Sequence, residues 1–182
     1  MSDFMQRSTH VVQGIPVLLE NSRPDIDSNA VLDRLAEALS LIGRYQPWRL
    51  AHLRRDLRAI HVVRFPCRGA YSPDEQVCVT ELTFLSRRDI SAAPVASSIL
   101  HEGMHARVDR MGVERAGRDR AREERLCRRA ELEFGRALPH SLGAPVIERA
   151  LASLQLDDEG VAPSIDWQEA ERRQDAVDRG EA

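Results

Sequence analysis

Two histidines and a glutamate in the run His101-Glu102-Gly103-Met104-His105 have the types and spacing needed for zinc chemistry. On an α-helix, residues four apart lie one turn apart on the same face, so both imidazoles could bind one metal ion. Glu102 is turned about 100° from His101 and could reach a water molecule on that metal. The spacing therefore predicts a zinc-binding HExxH site in which Glu102 is the catalytic general base.

The residues on either side of the motif predict the helix that this chemistry requires. Ser91 and Pro94 are typical of a helix start, and Gly112 is typical of a helix end. Between them, apolar residues occupy two broad flanks and leave a narrow polar stripe, which suits a metal site at the bottom of a cleft. The stripe consists of Ser98, His101, Glu102, His105 and Asp109.

A catalytic zinc ion usually has three protein ligands and an open position for water, so a third ligand is needed. The following segment, 117–138, has helical periodicity and is ended by Pro139. Two neighbouring glutamates within it are candidates. Helical phase places Glu123 in the middle of the apolar stripe and Glu124 at its edge, in line with Cys127, so phase favours Glu123.

Eighteen residues lie between His105 and Glu124. This arrangement resembles the gluzincin pattern of thermolysin-like peptidases, in which a glutamate on the next helix follows HExxH at about this distance. The resemblance implies that His101, His105 and Glu124 bind Zn²⁺, with Glu123 as the alternative third ligand. It also implies hydrolysis of a peptide or a related amide.

The stretch 48–140 also resembles a group of small bacterial zincin-like proteins. In these a Cys-Arg-Gly-containing hairpin precedes the HExxH helix and an Arg-rich helix follows, and the matching residues here are 67–71, 101–107 and 122–134. The resemblance implies an α+β, zincin-like fold that is mostly helical, with a small antiparallel sheet or hairpin before the HExxH helix. An edge strand of that sheet would pair with an extended substrate.

Four further residues are candidates for supporting roles in the site. Tyr71, in a turn, and His61, on the preceding strand, could donate to the oxyanion that forms during hydrolysis. Asp109 lies one turn beyond His105, and Glu131 lies two turns beyond Glu124. Either carboxylate could orient a ligand imidazole through its second nitrogen, and Glu131 is also a reserve ligand.

The remaining elements can be predicted from periodicity and turn residues. Two short strands lie within 9–20, and helices cover 28–41, 47–58 and 144–154. Strands at 59–65 and 76–85 are predicted to form a hairpin around a turn at 69–74. Residues 1–155 are expected to form a single domain, and 156–182 a polar segment that is partly helical or mobile.

Composition excludes several other classes of protein. The 182 residues carry a net charge of −3, and all 26 basic residues are arginine, so the chain has no overall signature of nucleic-acid or membrane binding. Three cysteines and the absence of an apolar leader predict a cytoplasmic protein with free thiols. Two alternatives to a hydrolase stay open: a zincin-fold protein with a structural or regulatory zinc site, and a partner-binding or nucleic-acid-binding module that uses the arginines of 115–129.

Overall fold

The chain has an α+β fold, described here from a computed structural model over residues 5–112 and 119–179. This part of the chain contains five strands and eight helices. The strands are β1 (Gln6–Val12), β2 (Ile15–Asn21), β3 (Ala59–Val63), β4 (Gly69–Ser72) and β5 (Val77–Glu81). The helices are α1 (Ser28–Tyr45), α2 (Pro47–Asp56), α3 (Leu82–Ser86), α4 (Ala93–Arg110), α5 (Arg120–Ala137), α6 (His140–Leu154), α7 (Asp158–Val161) and α8 (Trp167–Asp178).

The sheet is mixed, which corrects the expectation of an antiparallel sheet. Its order is β1-β2-β3-β5-β4, with β2, β3 and β5 parallel and the edge strands β1 and β4 antiparallel to their neighbours. Helices α1 and α2 connect β2 to β3, and a helical crossover of this kind joins parallel strands. Helices therefore cover the centre of the sheet, and β4 lies at an edge.

The hairpin expected between the segments 59–65 and 76–85 is also wrong. These segments contain β3 and β5, which run parallel, and the hairpin is formed instead by β4 and β5. The predicted turn is itself partly a strand, because Gly69–Ser72 pairs with Val77–Thr80. The reversal comes just after it, where Gln76 has a positive φ of 57°.

The strand predicted to continue to Leu85 ends at Glu81. The Glu81 carboxylate accepts a hydrogen bond of 2.6 Å from the Phe84 backbone N–H, which makes it the N-cap of the short helix α3. Arg64 forms an ion pair with the same carboxylate. The cap converts the end of a predicted strand into a helical turn that leads towards α4.

Helix α4 runs through the centre of the molecule, and most of its residues are buried, including Val95, Ile99 and Leu100. It contacts α1, α2, α5, α6, β4 and β5. At Gly103 a Cβ atom would clash with the Leu53 side chain of α2, so the absence of a side chain allows the two helices to pack closely. The HExxH motif is therefore held in a helix fixed on several sides.

Helix α5 packs along α4 and then against α6. Its N-cap is Asp119, whose carboxylate accepts from the Arg122 backbone N–H at 3.0 Å. The predicted helix start at Gly117, and Arg115 and Arg118 of the proposed basic segment, lie outside the described residues.

Two helices follow α6, and ion pairs and a ring contact hold the last of them against the rest of the chain. Asp178 of α8 contacts Arg64 at 2.7 Å and Arg23 at 3.1 Å, and the Trp167 ring lies 5.7 Å from the Phe65 ring. The preceding helix, α7, contacts α5 and α6. Within the described ranges, no helix is both long enough and apolar enough to cross a membrane.

Candidate metal centre

The two histidines of the motif converge on one point between α4 and α5. His101 is buried and His105 is half-buried, and their Nε2 atoms lie 3.3 Å apart. Their positions follow from the helical spacing, because residues 101 and 105 lie one turn apart on the face of α4 that meets α5. The two imidazoles are thus presented together to the neighbouring helix.

Glu124 of α5 completes a three-residue group with both histidines. Its Oε2 lies 3.1 Å from His101 Nε2, and its Oε1 lies 3.4 Å from His105 Nε2. Ligand atoms on a tetrahedral zinc ion with bonds of about 2.0–2.1 Å are about 3.3 Å apart. The three separations are close to that value, so these residues fit a zinc ion in both donor chemistry and spacing.

The second nitrogen of each histidine contacts another carboxylate of α5. His101 Nδ1 lies 2.6 Å from Glu131 Oε1, and His105 Nδ1 lies 2.7 Å from Glu123 Oε1. Contacts of this kind fix the ring orientation and leave Nε2 for a metal. Glu123, the alternative ligand, thus lies behind His105 in the structure, whereas Glu124 lies between the two Nε2 atoms.

Glu131 is the most buried carboxylate of the group, with 1% of the residue exposed. Its Oε2 accepts from Ser97 Oγ at 2.8 Å, and its Oε1 accepts from Arg128 at 2.7 Å in addition to the His101 contact. Burial would raise its pKa, but His101 and Arg128 outweigh that effect and lower it. Glu131 therefore stays ionised and holds His101 in place.

The electrostatics of the group favour a positive charge between the imidazoles. Burial lowers the pKa of His101, but Glu124 and Glu131 outweigh it and raise the value to about 10. The pKa of His105 is also raised, because contacts with Cys127, Glu123 and Glu124 outweigh burial. A metal ion bound between the imidazoles would compete with protons for the same nitrogens.

Glu102, the predicted general base, is buried, and burial raises the pKa of its carboxyl. It lies at the surface of the same cavity as the histidines. The neighbouring strand β4 comes close at this point, since a Cβ on Gly69 would lie 3.2 Å from Ser98 Oγ and 3.4 Å from Glu102 Cγ. Glycine at position 69 allows the strand backbone to pass directly over the motif.

Cys127 is a further residue beside the two histidines that could bind a metal. Its Sγ and one ring nitrogen of each histidine lie within 4.8 Å of one another, and the residue is fully buried. The sequence places Cys127 on the apolar stripe of the helix and favours a free thiol over metal binding together with Cys67 and Cys78, because no CxxC pair is present. Its position one turn after Glu124 on the same edge of α5 was the signal that could have identified it.

The two histidines and the glutamates that contact them lie in the wall of a cavity of about 760 Å³. Residues of β4, α4, α5 and α6 surround the cavity, and residues 161–167 close a further side. Sequence reasoning missed the arginines of this wall, because they come from separate elements with no common spacing. They are Arg68, Arg120, Arg128 and Arg149.

The two oxyanion candidates lie in different places. Tyr71 is on β4 and lines the cavity, and its hydroxyl donates to Asp109 Oδ2 at 3.3 Å. Asp109 therefore contacts Tyr71, while the imidazole nitrogens are taken by Glu123 and Glu131. His61 is on β3, where its Nε2 lies 3.8 Å from Glu20, and it is not among the described residues that line the cavity.

No family model matches this chain, and neither a curated protein nor a solved structure matches it.

Proposed function

We propose that this protein is a zinc-dependent hydrolase of the zincin-like, gluzincin type that cleaves a peptide or a related amide. The observation that carries the proposal is the convergence of His101 Nε2, His105 Nε2 and the Glu124 carboxylate at separations of 3.1–3.4 Å. Three such donors and a cavity in front of them are the arrangement of a catalytic zinc site.

Each residue of the site then has a distinct role. His101, His105 and Glu124 would hold the ion, and Glu131 and Glu123 would orient the two imidazoles. Zinc, when bound, supplies Lewis acidity that polarises a carbonyl group and makes water more acidic. The Glu102 carboxylate accepts the proton of the attacking water and delivers it to the leaving amine.

The cavity also offers a place for an extended substrate. Strand β4 is an edge strand of the sheet, and Gly69, Ala70 and Tyr71 on it line the cavity. A peptide could add to this edge through main-chain hydrogen bonds and carry its scissile carbonyl past the metal. The Tyr71 hydroxyl is the candidate donor to the oxyanion, and that hydrogen bond would replace the one it donates to Asp109.

The test of the proposal is a metal analysis combined with the substitution Glu102→Gln. We expect about one zinc ion per chain in protein purified without chelator. Glu102→Gln should retain the zinc but lower the hydrolysis of quenched fluorescent peptides by about 10²–10⁴-fold, because the proton acceptor is lost. Glu148→Gln is the matched control, since Glu148 is exposed on α6 and does not line the cavity.

Two results would contradict the proposal. Protein with far less than one zinc per chain, even after incubation with zinc, would exclude a resident zinc ion. Equal hydrolysis by the Glu102→Gln and Glu148→Gln variants would remove the general base from the mechanism.

Cys127 favours a second candidate, a protein whose zinc is structural or regulatory. If its Sγ binds the metal together with His101, His105 and Glu124, the ion has four protein ligands. A site of this kind is closed and has no position for water. The protein would then use zinc to hold α4 against α5.

Substitution of Cys127 separates the two candidates. In a hydrolase with three ligands, Cys127→Ala keeps the zinc ion and the activity. In a closed site it lowers zinc affinity, and Co²⁺-substituted wild-type protein shows a thiolate-to-cobalt charge-transfer band that the variant lacks. Cys78→Ala is the control, because Cys78 is equally buried but lies on β5 and outside the cavity lining.

A further inference from the structure

Two of the four arginines that line the cavity have side chains with no hydrogen-bond or ion-pair partner among the described residues. The guanidinium groups of Arg68, just before β4, and Arg149, on α6, form no hydrogen bond or salt bridge within residues 5–112 and 119–179, and both residues remain accessible. Arg68 stacks over the Phe84 ring, with its Cζ 5.1 Å from the ring centroid. The other two arginines have partners, since Arg120 donates to the Pro163 carbonyl and Arg128 to Glu131.

The carboxylates of the cavity are already engaged elsewhere. Glu123 and Glu131 contact the imidazoles, and Glu124 lies between them. Glu131 also accepts from Ser97 and Arg128, so both of its oxygens are occupied. Glu102 is the general base of the proposed reaction. The chain therefore provides no spare carboxylate for Arg149 or Arg68 among these residues.

The surroundings of Arg149 are unfavourable for an isolated cation. Desolvation by the surrounding protein lowers its pKa, and the charges of Arg68 and Arg128 lower it further, while only Glu131 opposes them. Arg149 is still accessible to a ligand, and a guanidinium beside two like charges gains from an anionic partner. A ligand with an anionic group could therefore form the ion pair with Arg149 that no described residue of the cavity provides.

The balance of charge across the whole cavity points the same way. Four arginines and four glutamates line it, so with neutral histidines a bound divalent cation leaves an excess of two positive charges. A concave site with a net charge raises the local concentration of oppositely charged ligands. The excess lies where Arg68 and Arg149 have no partners.

We propose that the cavity takes an anionic substrate, whose carboxylate or phosphate group binds Arg149 and Arg68 while its amide lies at the metal. The inference rests on the proposed function for the position of the amide. The planar guanidinium of Arg149 can donate two parallel hydrogen bonds to either kind of oxyanion. The free carboxylate at the end of a peptide on β4 is one source of this charge, and a phosphorylated substrate is the other.

The test measures binding rather than turnover, in full-length protein that carries Glu102→Gln so that no probe is consumed. The probes are N-acetyl-dialanine with a free carboxylate, its C-terminal amide, and inorganic phosphate, each titrated by calorimetry. Arg149→Gln and Arg68→Gln are compared with Arg129→Gln. Arg129 is exposed on α5 and does not line the cavity, so its substitution makes the same charge change elsewhere.

We expect an anionic probe to bind at least about 10-fold more tightly than the uncharged amide, and Arg149→Gln to weaken it by about 10- to 100-fold. Arg68→Gln should weaken it in the same direction, and Arg129→Gln should leave it unchanged. A preference for N-acetyl-dialanine identifies a carboxylate substrate, and binding of phosphate alone identifies a phosphorylated one. Equal binding of the carboxylate and the amide, no binding of either anion, or an unchanged affinity in Arg149→Gln would overturn the inference.

Zinc content, measured on the same samples, separates a failure here from a failure of the proposed function. Without zinc the hydrolase proposal fails, yet the dependence of phosphate binding on Arg149 still decides the inference. With one zinc per chain and no effect of Arg149→Gln, the inference fails and the hydrolase proposal stands. Thermal unfolding shows whether each variant is folded. Arg68 and Arg149 belong to different parts of the chain, so if one variant does not fold, the other still tests the inference.

Discussion

The two sides of the cavity differ in how their charged groups are satisfied. On the α4 and α5 side, the histidines and glutamates contact one another at 2.6–3.4 Å and are mostly buried. On the side formed by the start of β4, α6 and residues 161–167, Arg68 and Arg149 are accessible and without ion-pair partners among the described residues. Under the proposals above, the first side would hold a fixed metal ion, and the second would bind the anionic group of an exchanging ligand.

This difference has an energetic basis. Buried polar groups must be paired, so the metal-ligating side can exist only as a complete network in which each carboxylate has a defined partner. Accessible arginines keep part of their hydration and can remain unpaired at a modest cost. We therefore expect substitutions on the first side to affect metal binding strongly, and those on the second side to leave metal binding intact.

The largest effect is expected from removal of a histidine. His101→Ala removes a proposed zinc ligand and leaves Glu131 buried without its imidazole partner. Zinc affinity should fall by more than about 100-fold, which is more than the decrease expected when only a residue that orients a ligand is lost. Metal content after dialysis against a weak chelator measures it. His140→Ala, at the exposed start of α6, is the control. Retention of full zinc by His101→Ala would show that the ion binds elsewhere.

A smaller effect is expected from the carboxylates behind the imidazoles. Glu131→Gln keeps the shape of the side chain but removes the charge that orients His101, and zinc affinity should fall by about 10- to 100-fold. Competition with a chromophoric chelator measures this affinity. Glu133→Gln is a matched control on the same helix, since Glu133 is exposed and pairs with Arg49. If both variants bind zinc alike, Glu131 does not orient a ligand.

The two sides of the cavity also differ in how well the sequence predicts them. The helix that carries His101 and His105 was predicted because its evidence is local: a four-residue spacing, apolar flanks and a Gly stop. The gluzincin-like spacing favours Glu124 over Glu123 as a ligand, and in the structure the Glu124 carboxylate lies 3.1 Å and 3.4 Å from the two Nε2 atoms. These features depend on one helix or on two consecutive helices.

The features that sequence reasoning missed depend on segments far apart in the chain. Strand β4 pairs on the outer side of β5, and nothing in the sequence pattern separates this from a hairpin of β3 with β5. Arg68 and Arg149 lie more than eighty positions apart in sequence and come to the same cavity only through tertiary packing. Periodicity gives the face of each element but not its neighbours, so the paired side was predictable and the arginine side was not.

The smallest effect is expected at the C-terminal wall of the cavity. Asp178 fastens α8 to Arg64 and Arg23 through ion pairs, and its side chain is 29% exposed, so Asp178→Asn should cost about 1 kcal/mol or less of stability. The wall formed by residues 161–167 should open more often, so limited proteolysis within it should become faster. The control is Asp175→Asn, because the Asp175 carboxylate is exposed on the same helix. Zinc content should be equal in both variants, because no metal-ligating residue belongs to α8. Loss of zinc from Asp178→Asn alone would show that the two sides of the cavity are coupled and that the wall supports the metal-ligating side as well.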